Sequence, residues 1–151
     1  MEINAEVVKQ LRDKTGVSVM ECKKALVEAE GDMDKALDIL KTRSAAIAEK
    51  KQDRTLGAGT VASYIHNTAQ VGAMVLLSCE TDFVSKNDEF ITLARDIAMH
   101  AAAMRSANVE ELLKEPFIKD STKTVAELVS LATQKFGERI EISKLDIFSV
   151  R

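Results

Sequence analysis

The sequence predicts an α+β fold, in which a small module of three helices precedes a three-stranded antiparallel sheet packed with helices. Apolar residues recur at helical spacing in the first third of the chain, and the period changes to two from Thr60 onward. The later segments then run strand, strand, helix, helix, strand, and this order is typical of α+β proteins.

Three short helices are predicted at the start of the chain, each with recognisable end signals. Asn4, Ser18 and Asp32 are the predicted N-caps, and Gly16 ends the first helix in a left-handed conformation. Residues 41–56 are rich in alanine and charged residues, so we expect a solvated helical connector there. The apolar stripes predicted to form one small core are Val7, Val8 and Leu11; Cys22, Ala25, Leu26 and Ala29; and Met33, Ala36, Leu37 and Leu40.

Alternating polarity predicts the strands of the sheet. A half-buried strand runs from Thr60 to His66, and a return strand follows over Val71–Glu80. Because the return strand is apolar on both faces over most of its length, we expect it to be the central one. The last strand begins at Ile140 and switches phase near Lys144, which predicts a bulge at that point.

Two further helices are predicted to pack on one face of this sheet. A long helix begins near Ser85 or Asn87, and a capping box at Thr124–Glu127 opens a second helix that ends at Gly137. Residues 107–120 between them are expected to be irregular or short-helical. We therefore predict two domains, residues 1–56 with the helical module and its connector, and residues 57–151 with the α+β core.

Composition limits the classes of function. The chain has 151 residues, with 21 basic and 24 acidic residues for a net charge of −3, a single Tyr and no Trp. No basic block stands out, so we expect a protein partner and no direct contact with nucleic acid. The longest apolar run, Val71–Leu77, is far shorter than the ~20 residues of a transmembrane helix. The first four residues show no targeting signal, and we expect a cytoplasmic protein.

The sequence offers no clear catalytic, metal or cofactor motif. His66 and His100 are the two histidines, and neither has the spacing to other ligands that a metal site requires. A glycine-rich phosphate loop and a nucleophile elbow are both missing from the sequence. Cys22 and Cys79 lie in apolar patterns, which indicates buried packing thiols. We therefore expect a protein that is not an enzyme and that needs no cofactor.

One segment admits two interpretations. Residues 80–87, Glu-Thr-Asp-Phe-Val-Ser-Lys-Asn, connect the central strand to the long helix. In the first interpretation Asp82 caps or braces the turn and Phe83 tucks over the sheet edge. In the second, Phe83 is an exposed anchor that inserts between elements of a partner, while the Asp82 carboxylate acts locally. The residue pattern by itself leaves both open.

Two blocks of the sequence resemble the translation elongation factor Ts family, whose members are guanine-nucleotide exchange factors of elongation factor Tu. The first block runs from Val8 to Gly16 and continues through Met20–Leu26 and Gly31-Asp32. The second is Cys79-Glu80-Thr81-Asp82-Phe83-Val84. Residues 64–66 and 97–100 also look like the family core, so the resemblance covers nearly the whole chain.

The resemblance implies a ubiquitin-associated-like three-helix module that docks on the GTPase, and a core that presents a loop of Thr81, Asp82, Phe83 and Val84. In the family, the aspartate and phenylalanine of this loop wedge between helices of the GTPase near its magnesium site and promote GDP release. Further positions match family residues that contact the GTPase: Arg12, Val19, Met20 and His66.

The chain also departs from many members of the family, which carry two copies of the core sheet motif or a longer helical segment before the last strand. Here about 20 residues, Ser106–Val125, separate the two core helices. As in short members, we expect two chains to pair and complete the core as a homodimer. In two-copy members the histidine that corresponds to His66 belongs to the second copy, whereas the first copy carries the wedge.

Two other classes of function have sequence features that set them apart. A ubiquitin- or peptide-binding adaptor would use an exposed apolar patch around Gly16-Val17-Ser18 and would be indifferent to changes at Asp82 and Phe83. A thiol enzyme would need a cysteine with a lowered pKa in a polar cleft, where alkylation is rapid.

Overall fold

A computed structural model describes residues 2–151 and has the predicted α+β architecture. The elements in chain order are α1 Ala5–Thr15, α2 Val19–Glu28, α3 Met33–Lys50, β1 Ala58–Ile65, β2 Val71–Cys79, α4 Asp82–Ser85, α5 Asp88–Met104, α6 Val109–Lys114, β3 Pro116–Phe117, β4 Asp120–Thr124, α7 Val125–Phe136 and β5 Glu141–Ser149. The chain divides into two compact units. The helical unit comprises the residues up to Asp53 with Glu127–Gly137, and the sheet unit comprises Arg54–Ala126 with Glu138–Arg151.

The helix ends of the helical unit follow the predicted signals. The side chains of Asn4, Ser18 and Asp32 each accept a hydrogen bond from the backbone N–H three residues on, at 3.0, 3.3 and 3.1 Å. Gly16 follows α1 with a φ of 71°, a left-handed conformation that favours glycine. Its N–H donates to the Arg12 carbonyl at 2.7 Å, so the last turn of α1 closes where the sequence places the end of the helix.

The apolar stripes of α1, α2 and α3 meet in one core, as the sequence predicts. Leu131 of α7 joins this core, although α7 follows the sheet strands β1 and β2 along the chain. The predicted connector is helical as far as Lys50, where α3 ends. It is not wholly solvated, because Ser44 is buried and donates a hydrogen bond to Gln134 Oε1 at 2.5 Å. The division into two domains, residues 1–56 and residues 57–151, stays a prediction.

The sheet unit contains the predicted three-stranded antiparallel sheet, with strand order β1-β2-β5. The central position of β2 confirms the expectation from its two apolar faces. In the register, Val75 pairs with Ala62 on one side and with Leu145 on the other. The pairing shifts between Leu76 and Leu77, where one residue of β5 is passed over. This irregularity is the bulge that the phase switch near Lys144 predicts.

The two faces of this sheet differ in burial. One face packs against α5, whose contacts are with β1 and β2. The buried residues of this layer are Ala62, Ala73, Val75, Leu77 and Ile142 in the strands and Phe90, Ala94, Ile97, Ala98 and Ala101 in α5. The opposite face leaves several large apolar side chains exposed. The predicted placement of helices on one face is therefore confirmed for α5. It is wrong for α7, because Glu127–Gly137 belong to the helical unit and Leu131 packs in its core.

Residues 107–120 hold more regular structure than predicted. They include α6, and β3 pairs with β4 in a small antiparallel hairpin. His100 of α5 lies against this segment: its Nδ1 accepts from the Ile118 N–H, and its Nε2 donates to Glu115 Oε1, each at 3.0 Å. The ring also stacks on Phe117 with centroids 5.8 Å apart. His100 is therefore a fully buried packing residue.

Across residues 2–151, every helix is too short or too polar to cross a membrane.

Candidate functional site

The segment between β2 and α5 forms a single helical turn, α4, that leaves Phe83 in solvent. The Phe83 side chain is 92% exposed, whereas the next residue, Val84, is buried at 8%. Leaving such a side chain in water forgoes about 1.5–3 kcal/mol of burial free energy. The interpretation in which Phe83 tucks over the sheet edge is therefore wrong, and Phe83 is free to contact another molecule.

Asp82 is the first residue of α4 and does not act as its cap. Thr81 holds the N-cap position, and Asn87 caps the following helix by accepting from the Glu89 N–H at 2.8 Å. Within the described residues, the Asp82 carboxylate makes no hydrogen bond or ion pair. Asp82 and Phe83 thus form an exposed pair of one acidic and one aromatic side chain at the end of the sheet.

Side chains of the sheet hold the backbone of α4 from below. Thr60 Oγ1 of β1 donates to the Ser85 carbonyl at 2.9 Å, and Cys79 Sγ of β2 donates to the Thr81 carbonyl at 3.3 Å. The hydroxyl of Ser85 donates to the Asp82 carbonyl at 3.3 Å. The turn is therefore anchored at both ends by donors from the structure beneath it.

Two carboxylates cross-link the start of the loop to the start of β5. Glu138 Oε1 accepts from the N–H groups of Glu80 and Thr81 at 3.0 and 2.9 Å, and Glu138 Oε2 accepts from the Thr81 hydroxyl at 2.6 Å. In return, Glu80 accepts from the Arg139 N–H at 2.6 Å and from Arg54 Nη1 at 3.2 Å. The sequence patterns did not single out Glu138, since a lone acidic residue between a helix and a strand carries no periodic signal.

Neither cysteine has the environment of a reactive thiol. Burial raises the pKa of Cys79, and the nearby Glu138 carboxylate raises it further. Burial likewise raises the pKa of Cys22. Both are free and buried thiols, as predicted. A catalytic thiol needs a lowered pKa and access to solvent, so the geometry gives the thiol-enzyme alternative no support.

The helical unit exposes the three residues predicted to contact a partner there. Arg12 lies on the surface of α1, and Val19 and Met20 begin α2 with exposed side chains. Arg12 and Val19 line one groove of about 450 Å³. Met20 instead lines a separate groove with Val27 and Arg43. This surface combines apolar side chains with basic ones.

Arg12 also has a second cation nearby. Burial lowers the pKa of the Lys135 ammonium, and the positive charge of Arg12 lowers it further. Two like charges that disfavour each other in the free protein are stabilised when an acidic group binds beside them. Arg12 and Lys135 therefore place two basic groups close together on the helical unit.

His66 lies far from Phe83 within the sheet unit. It follows the last residue of β1 in the exposed turn, where its Nδ1 accepts from the Thr68 N–H at 3.3 Å. The α4 turn follows β2 at the opposite end of the sheet, where Ala58 pairs with Cys79. An eight-residue strand rises ~3.3 Å per residue, which separates the two sites by roughly 20–25 Å. One chain therefore does not bring His66 and Phe83 into a single site.

A second exposed apolar surface covers the face of the sheet opposite α5. We call it the apolar sheet face, and its residues are Val61, Ile65, Met74, Phe148 and Val150. Part of it forms a groove of about 450 Å³ lined by Ile65, Met74 and Phe148. Contiguous apolar patches of this kind on protein surfaces commonly mark interaction sites.

The surface expected for a ubiquitin- or peptide-binding adaptor is not formed. Val17, the apolar residue of Gly16-Val17-Ser18, is 1% exposed and belongs to the core of the helical unit. Among residues 2–151, no group of three or more His, Cys, Asp or Glu side chains could hold a metal ion. The exposed candidates for function are thus the α4 turn, the surface around Arg12, and the apolar sheet face.

Comparisons with known proteins agree with the resemblance. A family model described as elongation factor TS matches residues 80–151, a range that includes α4. The chain is 42% identical to elongation factor Ts of Nostoc sp. over 99% of its length and 40% identical to that of Clostridium botulinum over 98%. It spans about half of these two relatives, 47% and 48%. It is 36% identical to elongation factor Ts of Synechococcus sp., with 98% of the chain and 89% of that relative aligned. The chain belongs to the elongation factor Ts family.

Proposed function

We propose that this chain is a guanine-nucleotide exchange factor that binds elongation factor Tu in the cytoplasm and promotes GDP release during translation elongation. The observation that carries the proposal is the 92% exposure of Phe83 on a turn that is anchored at both ends. Membership of the elongation factor Ts family supports the choice of partner. The chain acts by binding and is not an enzyme.

The mechanism is a difference in affinity. A factor that binds the nucleotide-free GTPase more tightly than the GDP-bound form weakens GDP binding by the same ratio. Phe83 supplies the binding energy as a buried anchor, worth about 2–4 kcal/mol if it is a hot spot. That energy offsets the displacement of the GTPase elements that hold the nucleotide. Asp82 favours the displaced arrangement through its charge, while Thr81 and Val84 fix the turn on either side.

The helical unit provides a second contact with elongation factor Tu. Val19 and Met20 offer apolar surface, and Arg12 offers a charge whose neighbour Lys135 increases the local positive potential. An acidic and apolar surface of the GTPase fits this combination. These contacts act in docking, since they hold the factor on the GTPase whether or not the wedge is inserted. In this proposal the chain makes no direct contact with nucleic acid.

We further propose that two chains pair through the apolar sheet face to form a homodimer. Pairing removes Phe148, Val150 and their neighbours from water and gives the sheet a second covering layer. It also offers a role for His66. Because one chain separates His66 from Phe83 by the length of the sheet, His66 can contribute to the GTPase contact made by Phe83 only from the second copy.

The first test measures release of a fluorescent GDP analogue from elongation factor Tu. We expect the chain to accelerate release and Phe83→Ala to reduce the acceleration at least about thirtyfold, the equivalent of ~2 kcal/mol. Ile118→Ala, which truncates an exposed apolar residue on the small hairpin, is the matched control and should behave as wild type. Circular dichroism must show that all three proteins are folded. Failure of the wild-type chain to accelerate release would refute the proposed function.

A further inference from the structure

The Glu138 side chain is hydrogen-bonded to the loop that carries Phe83. Its carboxylate accepts three hydrogen bonds from Glu80 and Thr81, residues more than 55 positions earlier in the chain. Two of the donors are backbone N–H groups, which would otherwise have to find partners at the junction of β2 and α4. Glu138 thus supplies the acceptor for these two N–H groups, which no residue of the loop provides.

The Thr81 hydroxyl shows how far the loop depends on this carboxylate. A threonine at an N-cap normally accepts a hydrogen bond from an N–H in the first helical turn. Thr81 has the extended backbone of an N-cap, with φ −130° and ψ 158°, but its side chain makes no capping bond. Its hydroxyl donates to Glu138 Oε2 instead, so the start of α4 is tethered to the start of β5.

The position of the Phe83 ring follows from the backbone on either side of it. A helix of four residues does not hold itself together, because nucleation is costly and one turn gains few hydrogen bonds. The Phe83 side chain does not stabilise the turn by packing, since it is 92% exposed. Thr60 fixes the end of the turn through the Ser85 carbonyl, and Glu138 fixes its beginning.

The bonds of Glu80 reinforce the same junction. Its carboxylate accepts from the backbone N–H of Arg139, the residue next to Glu138, and from the Arg54 guanidinium. The Arg139 guanidinium in turn donates to the Arg54 carbonyl at 2.8 Å. Residues 80 and 81 are therefore linked to residues 138 and 139 in both directions, which limits the freedom of Glu138 itself.

We propose that Glu138 is a positioning residue for nucleotide exchange: its carboxylate holds Thr81 and the first turn of α4 in place so that Phe83 is presented ready to insert. This rests on the proposed exchange function. A turn that is already ordered loses less conformational freedom on binding than one that must order on the GTPase, so more of the contact energy of Phe83 is available to displace the nucleotide.

Three variants distinguish the hydrogen bonds of Glu138 from its negative charge. Glu138→Ala removes all three bonds. Glu138→Gln keeps an amide oxygen that can accept from the two N–H groups, and its amide NH₂ can donate to the Thr81 hydroxyl oxygen. Glu110→Ala is the matched control, because Glu110 is an exposed residue of the same unit on α6 and its loss changes the net charge by the same amount.

The experiment measures GDP release from elongation factor Tu over a range of factor concentrations. For Glu138→Ala we expect the maximal release rate to fall about tenfold, while the concentration for half-maximal release changes less than about threefold, because the surface around Arg12 still docks. The maximal release rate of Glu138→Gln should lie within about threefold of the wild-type rate. The rate of Glu110→Ala should equal the wild-type rate. Hydrogen exchange of the free proteins should show faster exchange of the amides of residues 80–85 in Glu138→Ala alone.

The outcomes separate this inference from the proposed function. If wild type accelerates release and Glu138→Ala does so equally well, the positioning role is wrong while the exchange function stands. A loss of rate in Glu138→Ala that Glu138→Gln does not recover, or that accompanies faster exchange throughout the sheet unit, would indicate general destabilisation and would also overturn the inference. If wild type has no effect, the exchange function fails and the inference fails with it.

Discussion

Phe83 and Phe148 are both aromatic residues of the sheet unit that lie largely in water, 92% and 81% exposed, but their surroundings differ. Phe83 stands alone on a short turn, between an exposed aspartate and a buried valine. Phe148 lies on a strand in a face that also exposes Ile65, Met74 and Val150. The first is a single projecting ring, and the second belongs to a broad surface.

The difference in support matches this difference in shape. Hydrogen bonds from Thr60, Cys79 and Glu138 fix the turn beneath Phe83, whereas Phe148 is held by the regular ladder of β5 on β2. A rigid projection is suited to insertion into a partner, and a broad apolar face is suited to pairing with another flat surface. Exposure alone therefore does not tell what an aromatic residue contacts.

The largest effect that separates the two regions is expected on self-association. Phe148→Asp places a charge within the proposed pairing surface, where burial without a partner is strongly unfavourable, and should weaken dimerisation at least about 100-fold. Sedimentation equilibrium measures the dissociation constant. Phe83→Asp is the matched control, since it makes the same change on another largely exposed ring, and it should leave the dimer intact.

The pairing proposal fails if wild type is a monomer at micromolar concentration while it still accelerates GDP release. It also fails if Phe148→Asp and Phe83→Asp form dimers as well as wild type does. The opposite pattern, in which only Phe83→Asp disrupts the dimer, would move the interface to the α4 turn and would contradict the separation between the two regions.

A smaller effect is expected at the surface around Arg12. Arg12→Ala should raise the factor concentration for half-maximal GDP release about five- to tenfold, the equivalent of ~1 kcal/mol, and leave the maximal rate near that of wild type. Phe83→Ala should show the reverse, because in the proposed mechanism Phe83 acts after docking. Lys35→Ala, which removes an exposed charge from α3, is the control. A fall in the maximal rate for Arg12→Ala would contradict a role limited to docking.

Local signals in the sequence were sufficient for much of the fold. Caps and glycines mark helix ends through bonds to residues three or four positions away, so Asn4, Ser18 and Gly16 could be read directly. The phase switch near Lys144 located the bulge for the same reason, because a bulge changes the alternation of neighbouring residues. The exposure of Phe83 was different. One turn of helix has no period, and both interpretations fitted the residues.

Contacts between distant parts of the chain gave no local signal. The hairpin of β3 and β4 was missed because its second strand, Asp120–Thr124, has no apolar residue, and its buried side chain is Lys123, paired with Asp120 at 3.3 Å. Glu138 was missed because its partners lie more than 55 residues away. The packing of Leu131 in the helical unit is another long-range contact that periodicity could not assign.

The smallest effect expected is a loss of stability at alkaline pH. It concerns the residues that support α4, among them Cys79, and not the apolar sheet face. Burial and the Glu138 carboxylate raise the pKa of Cys79 in the folded protein, so the folded state holds this thiol proton more tightly than the unfolded chain does. The resulting stability is fully present below the ordinary thiol pKa of 9.0 and is lost as the pH rises through the higher value of the folded state. Urea unfolding of wild type should therefore show stability falling above pH 9.

Cys79→Ser isolates the contribution of this thiol. A serine hydroxyl can still donate to the Thr81 carbonyl but does not ionise in this range, so the loss of stability between pH 8.5 and 10 should be shallower than in wild type. Cys22→Ser serves as the comparison from the helical unit, where burial also raises the thiol pKa but Glu138 is not among the causes. We expect hydrogen exchange at residues 80–85 to become faster with rising pH, beyond the intrinsic increase, in wild type and Cys22→Ser but not in Cys79→Ser. If the free energy of unfolding falls with pH at the same slope in wild type and Cys79→Ser, the buried thiol does not stabilise the junction that carries Phe83.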